Sequence, residues 1–285
     1  MVPSLPDIML EPLVRTGLLE DLGRGGDLTT NALIGPQERV RVAVRSRQAG
    51  VLAGLDLVRL SFHLIDPAVR FERLMQEGAS VAPHDVVAIA EGPASSILTG
   101  ERVGLNFLSH LSGIASATAA MVRSVQGSGA QICCTRKTLP GMRALQKYAV
   151  KAGGGASHRM GLDDAILIKD NHIALAGSVA GAVAKARAYA GHMVKIEVEV
   201  DTVEQLQELL QADRVDAVLL DNMSLQDLKT CVSMVQGAMV VEASGGITPQ
   251  TAPAIAQTGV DLLSVGWLTH SVTALDFGLD FEKAL

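Results

Sequence analysis

Short apolar runs alternate with helical segments between residues 131 and 265, and this rhythm is the strongest constraint on the fold. Repeated strand–helix alternation is typical of parallel strands joined by crossover helices. Runs that are apolar throughout indicate a sheet buried on both faces. The strands are predicted at Gln131–Thr135, Ala165–Ile168, Val194–Val200, Ala217–Leu220, Met239–Glu242 and Leu262–Val265. The helices are predicted at Leu139–Ala152, Ala174–Ala190, Thr202–Gln211, Leu225–Val235 and Pro249–Gln257.

The residues before this region have a different pattern, which predicts a mixed α and β domain. Asp7–Leu22 has helical spacing, and valines alternate with arginines from Val40 to Arg45, as in a half-buried strand. Aromatic residues make up only 3% of the chain, so small and branched side chains must fill the core. Further strands are predicted at Val69–Met75 and Val86–Glu91, and helices at Gly54–Leu64 and from about Glu101 to Gln126.

Charge and cysteine usage exclude several classes of protein. A formal net charge of −6 argues against a general nucleic-acid binder, which usually carries a basic surface. The three cysteines are odd in number and lack metal-ligand spacing, which favours a reducing, cytoplasmic compartment. The first 14 residues lack the features of a signal peptide. Val103–Met121 is apolar but interrupted by polar residues, so we expect a buried helix and no membrane association.

Polar side chains end the predicted strands, and this indicates a site. The carboxyl ends of barrel strands converge on one mouth, where active sites are built. An open doubly wound sheet also binds ligands at that edge, but there the site residues concentrate at one switch point. Polar, charged or glycine residues follow each predicted strand in turn, and this distribution favours a barrel. The cations are Arg136, Lys137, Arg159 and Lys169, with His158 beside them; the acids are Glu199 and Asp221; and the turn is Ser244-Gly245-Gly246.

These residue types fit an anionic substrate together with a phosphorylated one. Arginine matches carboxylates with two parallel hydrogen bonds. Two carboxylates on adjacent strand ends suit Mg²⁺, and a glycine-rich turn can hold a phosphate through backbone N–H groups. Taken singly, each residue is more often a solvated or salt-bridged side chain, and their coincidence at strand ends favours function. Glu197 and Glu199 point to the same face, so the alternation alone leaves both as candidates.

The motifs that carry this chemistry resemble those of the quinolinate phosphoribosyltransferases, in order and over nearly the whole chain. The matching segments are Glu20-Asp21-Leu22-Gly23, Asp27-Leu28-Thr29-Thr30, Thr135-Arg136-Lys137-Thr138-Leu139-Pro140-Gly141, Gly153 to Leu162 with His158-Arg159, Lys169-Asp170-Asn171-His172, Glu197-Val198-Glu199-Val200, Leu219-Leu220-Asp221-Asn222, Ser244-Gly245-Gly246 and Val265 to Ser271. The resemblance implies an α/β fold: an open-faced α/β sandwich at 1–115, an incomplete α/β barrel of about six strands at 116–270, and a segment at 271–285 that returns to the first domain.

The resemblance also implies the roles of the site residues. Arg136, His158, Arg159 and Lys169 would face the carboxylates of quinolinate, and Lys137 would lie between quinolinate and phosphoribosyl pyrophosphate. Glu199 and Asp221 would bind Mg²⁺ and the ribose hydroxyls. The 5-phosphate would be held by Ser244, Gly245, Gly246 and Gly266. Lys137, Lys169, Glu199 and Asp221 would be catalytic.

The implied assembly is a homodimer with shared active sites, and assembly beyond the dimer stays open. Arg102, with Glu101 beside it, would reach into the site of the other subunit. The chain departs from the family at Ser157, where asparagine is usual, and at Trp267, where a small residue is frequent. The indole of Trp267 would either narrow the site or pack outward.

Three alternatives are weighed against this function. A paralogue group of the same fold, associated with molybdenum transport genes, lacks the Lys-Asp-Asn-His segment found here at Lys169–His172. A lyase would use Lys169 to form a Schiff base with a carbonyl substrate. A dicarboxylate-binding protein without catalysis would have no use for the phosphate turn and the two acids.

Overall fold

A four-stranded antiparallel sheet organises the first of the two compact units of the chain. The structure is a computed structural model that describes residues 3–285, so the first two residues of the segment tested for a signal peptide lie outside it. The first unit runs to Ala119 and also contains Pro140–Gly154 and Ser271–Leu285. The second contains Ala120–Leu139 and Gly155–His270. The domain boundaries expected at 115 and 270 stay predictions.

The first unit carries most of its helices on one face of the sheet. Its helices are α1 (Asp7–Leu22), α2 (Leu28–Leu33), α3 (Leu55–Ile65), α4 (Ala94–Ser124) and α5 (Arg143–Ala152). Its strands are β1 (Arg39–Ser46), β2 (Gly50–Val51), β3 (Arg70–Arg73), β4 (Ser80–Val81), β5 (Val86–Pro93) and β12 (Phe277–Ala284), counting β6 to β11 in the second unit. The sheet order is β12-β1-β5-β3, and β2 pairs with β4.

Alternating side chains explain why this sheet is covered on one side only. Val42 and Val44 of β1 join the apolar core with Phe62 of α3 and Leu108 of α4. Arg41 and Arg45, which flank these valines, point to the opposite face, where they meet carboxylates of the neighbouring strands. An antiparallel sheet commonly packs one face and leaves the other to solvent. The open-faced sandwich expected from the resemblance is therefore confirmed.

The second unit is a parallel sheet with helices between its strands. The strands are β6 (Gln131–Cys133), β7 (Ile166–Ile168), β8 (Ile196–Val200), β9 (Ala217–Asp221), β10 (Val240–Ser244) and β11 (Leu262–Ser264). The helices are α6 (Asp170–Ala176), α7 (Val179–Tyr189), α8 (Val203–Gln211), α9 (Leu225–Val235) and α10 (Ala252–Ala256), followed by a 3-10 turn at Gly266–Thr269. The order is β6-β11-β10-β9-β8-β7, all parallel.

The two outer strands of this sheet leave the barrel incomplete. Between residues 3 and 285, β6 and β7 form no ladder with each other, and a single bridge from Cys133 to Ala156 lies on that side. Interior strand residues such as Val198 and Leu220 are fully buried, as expected of a sheet covered on both faces. The predicted incomplete six-stranded barrel is confirmed.

Several predicted helix limits are wrong. The helix expected at Ala174–Ala190 is two helices, because Gly177 adopts a φ of 92° and the Ser178 side chain caps a new start. The helix expected from Pro249 begins at Ala252, and the one expected from Leu139 begins at Arg143. Strand β12 was not predicted as a strand.

Helix α4 is long and apolar enough, by length and composition, to cross a membrane. Half of the residues in its most apolar window are buried within the protein. Ile97, Leu105 and Leu108 of this helix belong to the core of the first unit. These contacts are typical of a core helix, as the interrupted polarity of Val103–Met121 predicts.

Candidate active site

A cavity of about 330 Å³ opens at the carboxyl ends of the parallel strands. It lies within the second unit and is lined by both expected and unexpected side chains. The expected residues are Arg136, Lys137, His158, Arg159, Lys169, Glu199, Asp221 and Ser244. The residues that sequence reasoning missed are Thr135, Leu167, Leu219, Glu242 and Ser264.

Two neighbouring guanidinium groups give the cavity its positive character. Arg136 follows β6, and its buried Nε has no hydrogen-bond partner among residues 3–285. Arg159 donates from Nη1 to the carbonyl oxygen of Ala165 at 3.0 Å. Burial, and then the charge of Arg136, lower the pKa of Arg159. Like charges in a partly buried position favour binding of an anion, because an anion offsets their repulsion.

The loop that carries Arg159 is fixed by a nearby aspartate. Asp164 accepts hydrogen bonds from the backbone N–H groups of Met160 at 2.6 Å and Gly161 at 2.9 Å. These bonds close a tight turn directly after Arg159. The arginine is therefore held by its own backbone as well as by its side chain.

His158 has partners on both ring nitrogens. Its Nδ1 accepts the backbone N–H of Arg159 at 2.7 Å, and its Nε2 lies 2.8 Å from a carboxylate oxygen of Glu197. A nitrogen that accepts a hydrogen bond carries no hydrogen, so the ring hydrogen is on Nε2 and is donated to Glu197. His158 thus links the backbone next to Arg159 to the strand β8.

A buried acid lies under this histidine. Glu242, 2% exposed, lies 3.8 Å from His158 Nε2 and accepts a hydrogen bond from the hydroxyl of Ser264. Burial, followed by the nearby Glu197 carboxylate, raises the pKa of Glu242 to about 7. A carboxylate inside an apolar strand must find polar partners, so the pattern Val240-Val241-Glu242-Ala243 is a signal that could have identified it.

The neighbouring acid of β8 has a different partner. Glu199 lines the cavity and accepts a hydrogen bond from Nζ of Lys169, which is half-exposed. Glu197 is buried with His158. The two glutamates share a strand face as expected, and the one nearer the strand end borders the cavity.

The glycine turn after β10 is held against the end of β9. Asn222, at a φ of 52°, donates its backbone N–H to the carbonyl oxygen of Ser244 at 2.9 Å and its amide to Asp221 at 2.6 Å. Gly245 has a φ of 98°, and a Cβ atom there would lie 2.1 Å from the Asn222 side-chain oxygen. Only glycine fits this approach. Gly246 follows, also with a positive φ of 58°.

Other predicted residues lie beside or outside the cavity wall. A Cβ atom at Gly266 would lie 2.9 Å from Cδ of Lys137, so the glycine gives room to this lysine. Arg102 and Glu101 lie on α4 in the first unit, with their charged atoms 3.9 Å apart and Arg102 63% exposed. Their expected role at a partner's site stays a prediction. The buried hydroxyl of Ser157 has no hydrogen-bond partner in the part of the chain that is described.

Two sets of side chains were considered as ligands of a metal ion. The ligand atoms of His158, Glu197 and Glu242 lie within 4.8 Å of one another. The Nε2 hydrogen of His158 is donated to Glu197, so this set is a hydrogen-bonded cluster. Glu199 and Asp221 offer carboxylate oxygens on adjacent strands and both line the cavity. That donor set fits Mg²⁺, which binds through one or two carboxylates plus water and substrate phosphates.

Similar proteins cover the chain almost completely. The family models for the quinolinate phosphoribosyl transferase N-terminal and C-terminal domains match residues 27–112 and 114–280. A Bacillus subtilis protein named probable nicotinate-nucleotide pyrophosphorylase [carboxylating] is 43% identical over 96% of this chain and 93% of its own length. The Mycobacterium leprae nicotinate-nucleotide pyrophosphorylase [carboxylating] is 42% identical over 94% and 95%. The crystal structure of NadC from Streptococcus pyogenes matches with a TM-score of 0.94 and 40% identity, over 99% and 100% of the two chains.

Proposed function

This chain belongs to the quinolinate phosphoribosyltransferase family and is a decarboxylating phosphoribosyltransferase of NAD biosynthesis, and from that premise we propose how its cavity performs the reaction. Quinolinate carries two carboxylates on adjacent ring carbons. We infer that Arg136 and Arg159 bind them, with Lys169 and His158 beside them. The observation that carries this proposal is the pair of neighbouring guanidiniums, of which Arg136 has a buried Nε without a partner.

The phosphorylated substrate, phosphoribosyl pyrophosphate, binds on the other side of Lys137. Ser244, Gly245 and Gly246 supply backbone N–H groups for the 5-phosphate, and Gly266 leaves space beside Lys137. Residues between the turn and Ala252 are not helical, so the N–H groups of the turn itself hold the phosphate. The positive charge of Lys137 offsets charge that develops on the leaving pyrophosphate.

The acids at the ends of β8 and β9 hold the magnesium ion and the ribose. Glu199 and Asp221 provide hard oxygen ligands of the type that Mg²⁺ prefers. The ion, when bound, supplies positive charge to the departing pyrophosphate. Lys169 donates to Glu199 in the free protein, and its ammonium group can turn to a substrate carboxylate when Glu199 takes another partner.

Bond formation and decarboxylation follow from this arrangement. The pyridine nitrogen attacks C1 of the ribose as pyrophosphate leaves, and nearby carboxylates favour the oxocarbenium-like ribose. The ring nitrogen is then positive and takes up the electron pair left when the adjacent carboxylate departs as CO₂. A proton adds at C2 to give nicotinate mononucleotide. The cationic cavity contributes by orienting the ring and its two carboxylates.

The enzyme acts as a homodimer in which Arg102 completes the partner's site. The exposure of Arg102 supports this proposal, as do exposed apolar residues of α1 and α2 such as Ile8, Leu28 and Leu33. Mixing Arg102→Ala with Lys169→Ala protein should restore about a quarter of wild-type activity, since hybrid dimers keep one intact site of two. No recovery, with hybrid dimers demonstrated, would contradict shared sites.

The protein resides in the cytoplasm. The three cysteines, Cys133, Cys134 and Cys231, are free and buried, which suits a reducing compartment. Fractionation of source cells, followed by immunodetection, should find the protein in the cytoplasmic fraction, and recovery from another compartment would contradict the proposal.

The decisive experiment incubates purified protein with quinolinate, phosphoribosyl pyrophosphate and Mg²⁺ and measures two products. Nicotinate mononucleotide and CO₂ should form in equal amounts, and chelation of the metal should stop both. Replacing Lys169 with alanine should abolish both, whereas Arg47→Ala on the first unit should not. Well-folded protein that forms neither product would favour the same-fold paralogue. A lyase would form a Schiff base at Lys169 with a carbonyl substrate, and borohydride should trap no such adduct.

A further inference from the structure

The 3-10 turn Gly266–Thr269 is hydrogen-bonded to two loops of the site at once. The indole N–H of Trp267 donates to the carbonyl oxygen of Ile247 at 3.0 Å. The hydroxyl of Thr269 donates to the carbonyl oxygen of Lys137 at 2.7 Å. Trp267 stands where the resemblance leads us to expect a small residue, and its indole is hydrogen-bonded to the residue that follows the glycine turn.

The turn is rigid, because its second half is buried. Leu268 and Thr269 have no exposed surface, and Ile247 is 4% exposed. The Thr269 hydroxyl also lies 3.1 Å from the carbonyl oxygen of Gly266, which closes the turn on itself. A buried side-chain hydrogen bond to a backbone carbonyl holds a loop firmly, since breaking it leaves an unsatisfied buried group.

The two loops so joined bind opposite parts of one substrate. Ile247 directly follows the turn Gly245-Gly246, and Lys137 follows Arg136. Each loop leaves a different strand, β10 or β6, which are separated in the sheet by β11. The turn leaves β11 and therefore lies between them. Its bonds set the distance between the backbone that follows the glycine turn, at Ile247, and the backbone of Lys137.

We propose that Trp267 and Thr269 are positioning residues that fix this distance and so determine the affinity for the phosphorylated donor. This inference rests on the proposed function, because it assigns the glycine turn to the 5-phosphate. Trp267 acts through the backbone of Ile247, and Thr269 acts through the backbone of Lys137. Of the groups proposed to bind quinolinate, only Arg136 lies on a loop held by either bond, whereas His158, Arg159 and Lys169 lie on other loops, so the affinity for quinolinate should change much less.

Trp267 is the only tryptophan of the chain, so its emission reports on this loop without labelling. Phosphoribosyl pyrophosphate should change the fluorescence intensity or wavelength in a saturable way. Quinolinate alone should leave the emission unchanged. Absence of any change with the donor, at concentrations that saturate activity, would overturn the proposal.

Four variants separate positioning from general stability. Trp267→Phe keeps an aromatic ring but removes the N–H donor, Thr269→Val removes the hydroxyl, and Thr269→Ser restores it. Thr258→Val is the matched control, because Thr258 is also buried and donates to a backbone carbonyl, that of Ile255, at 2.7 Å. Thermal melting and gel filtration establish that each variant is folded.

We expect Trp267→Phe and Thr269→Val each to raise the KM for phosphoribosyl pyrophosphate about fivefold, the value of one hydrogen bond. The KM for quinolinate should stay within about twofold, and Thr269→Ser and Thr258→Val should resemble wild type. Equal changes for both substrates, or no change, would overturn the proposal. If Thr269→Val does not fold, the KM values of Trp267→Phe and the fluorescence titration of the wild-type protein still test the positioning role. If the wild-type protein forms no product, the proposed function itself is contradicted. If the wild-type protein is active but all variants have the same KM values, only the positioning role is contradicted.

Discussion

Arginines on the antiparallel sheet of the first unit and arginines at the cavity of the second unit have opposite surroundings. On the antiparallel sheet, Arg45 and Arg47 both donate to Asp280. The hydrogen bond to Asp280 raises the pKa of Arg47. The two positive charges therefore share the carboxylate of Asp280, which lies on β12 of the same sheet.

At the cavity two guanidiniums lie near each other, and the carboxylates of Asp164 and Glu197 offset their charge only in part. Burial and the charge of Arg136 lower the pKa of Arg159, and Nε of Arg136 is buried without a partner among the described residues. The difference indicates that positive charge at the cavity is reserved for a ligand, whereas positive charge on the open sheet serves the fold.

The largest expected effect is the loss of an arginine from the cavity. Arg159→Ala should lower kcat/KM for quinolinate at least about 100-fold, because a bidentate pair of charged hydrogen bonds is removed. Steady-state kinetics measure this, and a melting temperature near that of wild type excludes unfolding. Arg45→Ala is the matched control and should keep activity within about twofold. Equal losses of kcat/KM in the two variants would contradict the different roles of arginine at the cavity and on the open sheet.

The second prediction concerns the pH dependence of stability. Glu242 has a folded-state pKa of about 7 against an ordinary value of 4.5, so the folded state binds its proton more tightly. Its stabilising contribution is therefore complete below the unfolded value and is lost as pH rises through about 7. Above pH 7 the loss should be on the order of 3 kcal/mol.

Replacing Glu242 with glutamine should remove this loss, since the amide keeps an acceptor for Ser264 and does not ionise. Melting temperatures between pH 5 and 8 should fall less with rising pH in Glu242→Gln than in wild type. Asp280→Asn is expected to change the pH dependence in the opposite direction. Hydrogen bonding to Arg47 lowers the pKa of Asp280, so its contribution to stability is lost as pH falls. Parallel pH profiles in wild type and Glu242→Gln would show that the buried acid does not behave as described.

The third prediction tests an acid of the first unit that serves the fold. Glu77 accepts hydrogen bonds at 2.8 Å from the backbone N–H groups of Gly54, the N-cap residue of α3, and of Leu55, its first residue. Glu77→Ala should lower the free energy of unfolding by about 1–2 kcal/mol, as expected for loss of a helix cap. Glu77→Gln should lose less, and neither should change KM. A change in KM for either substrate would contradict the statement that Glu77 serves the fold and not the site.

The smallest effect is expected at Arg47. Arg47→Ala should shift the melting temperature by no more than a few degrees, because surface ion pairs contribute little and Arg45 still reaches Asp280. Raising the salt concentration should reduce even this difference. A large destabilisation that persists in high salt would show that the open sheet depends on its charges.

The cavity was predictable from the sequence because parallel strands bring their carboxyl ends together whatever the angles between strands. Arg136, Lys169, Glu199 and Asp221 could be grouped by strand order alone. Glu242 was not grouped in this way, because the prediction places it in the strand Met239–Glu242 and begins the polar residues of that strand end at Ser244. Its partners, His158 and Ser264, come from other strands and loops.

Strand β12 was missed for a related reason. Its sequence, Phe277-Gly278-Leu279-Asp280-Phe281, contains alternation, but the pairing partner β1 lies more than 200 residues away. Local pattern carries no information on such a pairing. The break at Gly177 was missed because a single glycine inside a helical pattern is usually tolerated.

The position of β12 has a consequence for synthesis of the chain on the ribosome. Strand β1 pairs with β12 along its whole length, from Val40 with Ala284 to Ser46 with Phe277. The antiparallel sheet of the first unit therefore lacks its edge strand β12, and β1 has one edge unpaired, until residues 277–284 have emerged. All strands of the barrel have been translated before then, so the barrel sheet can be completed on the nascent chain before the first sheet is. Until then β1 presents an unpaired strand edge, which is a site where a β-sheet can pair with a wrong strand.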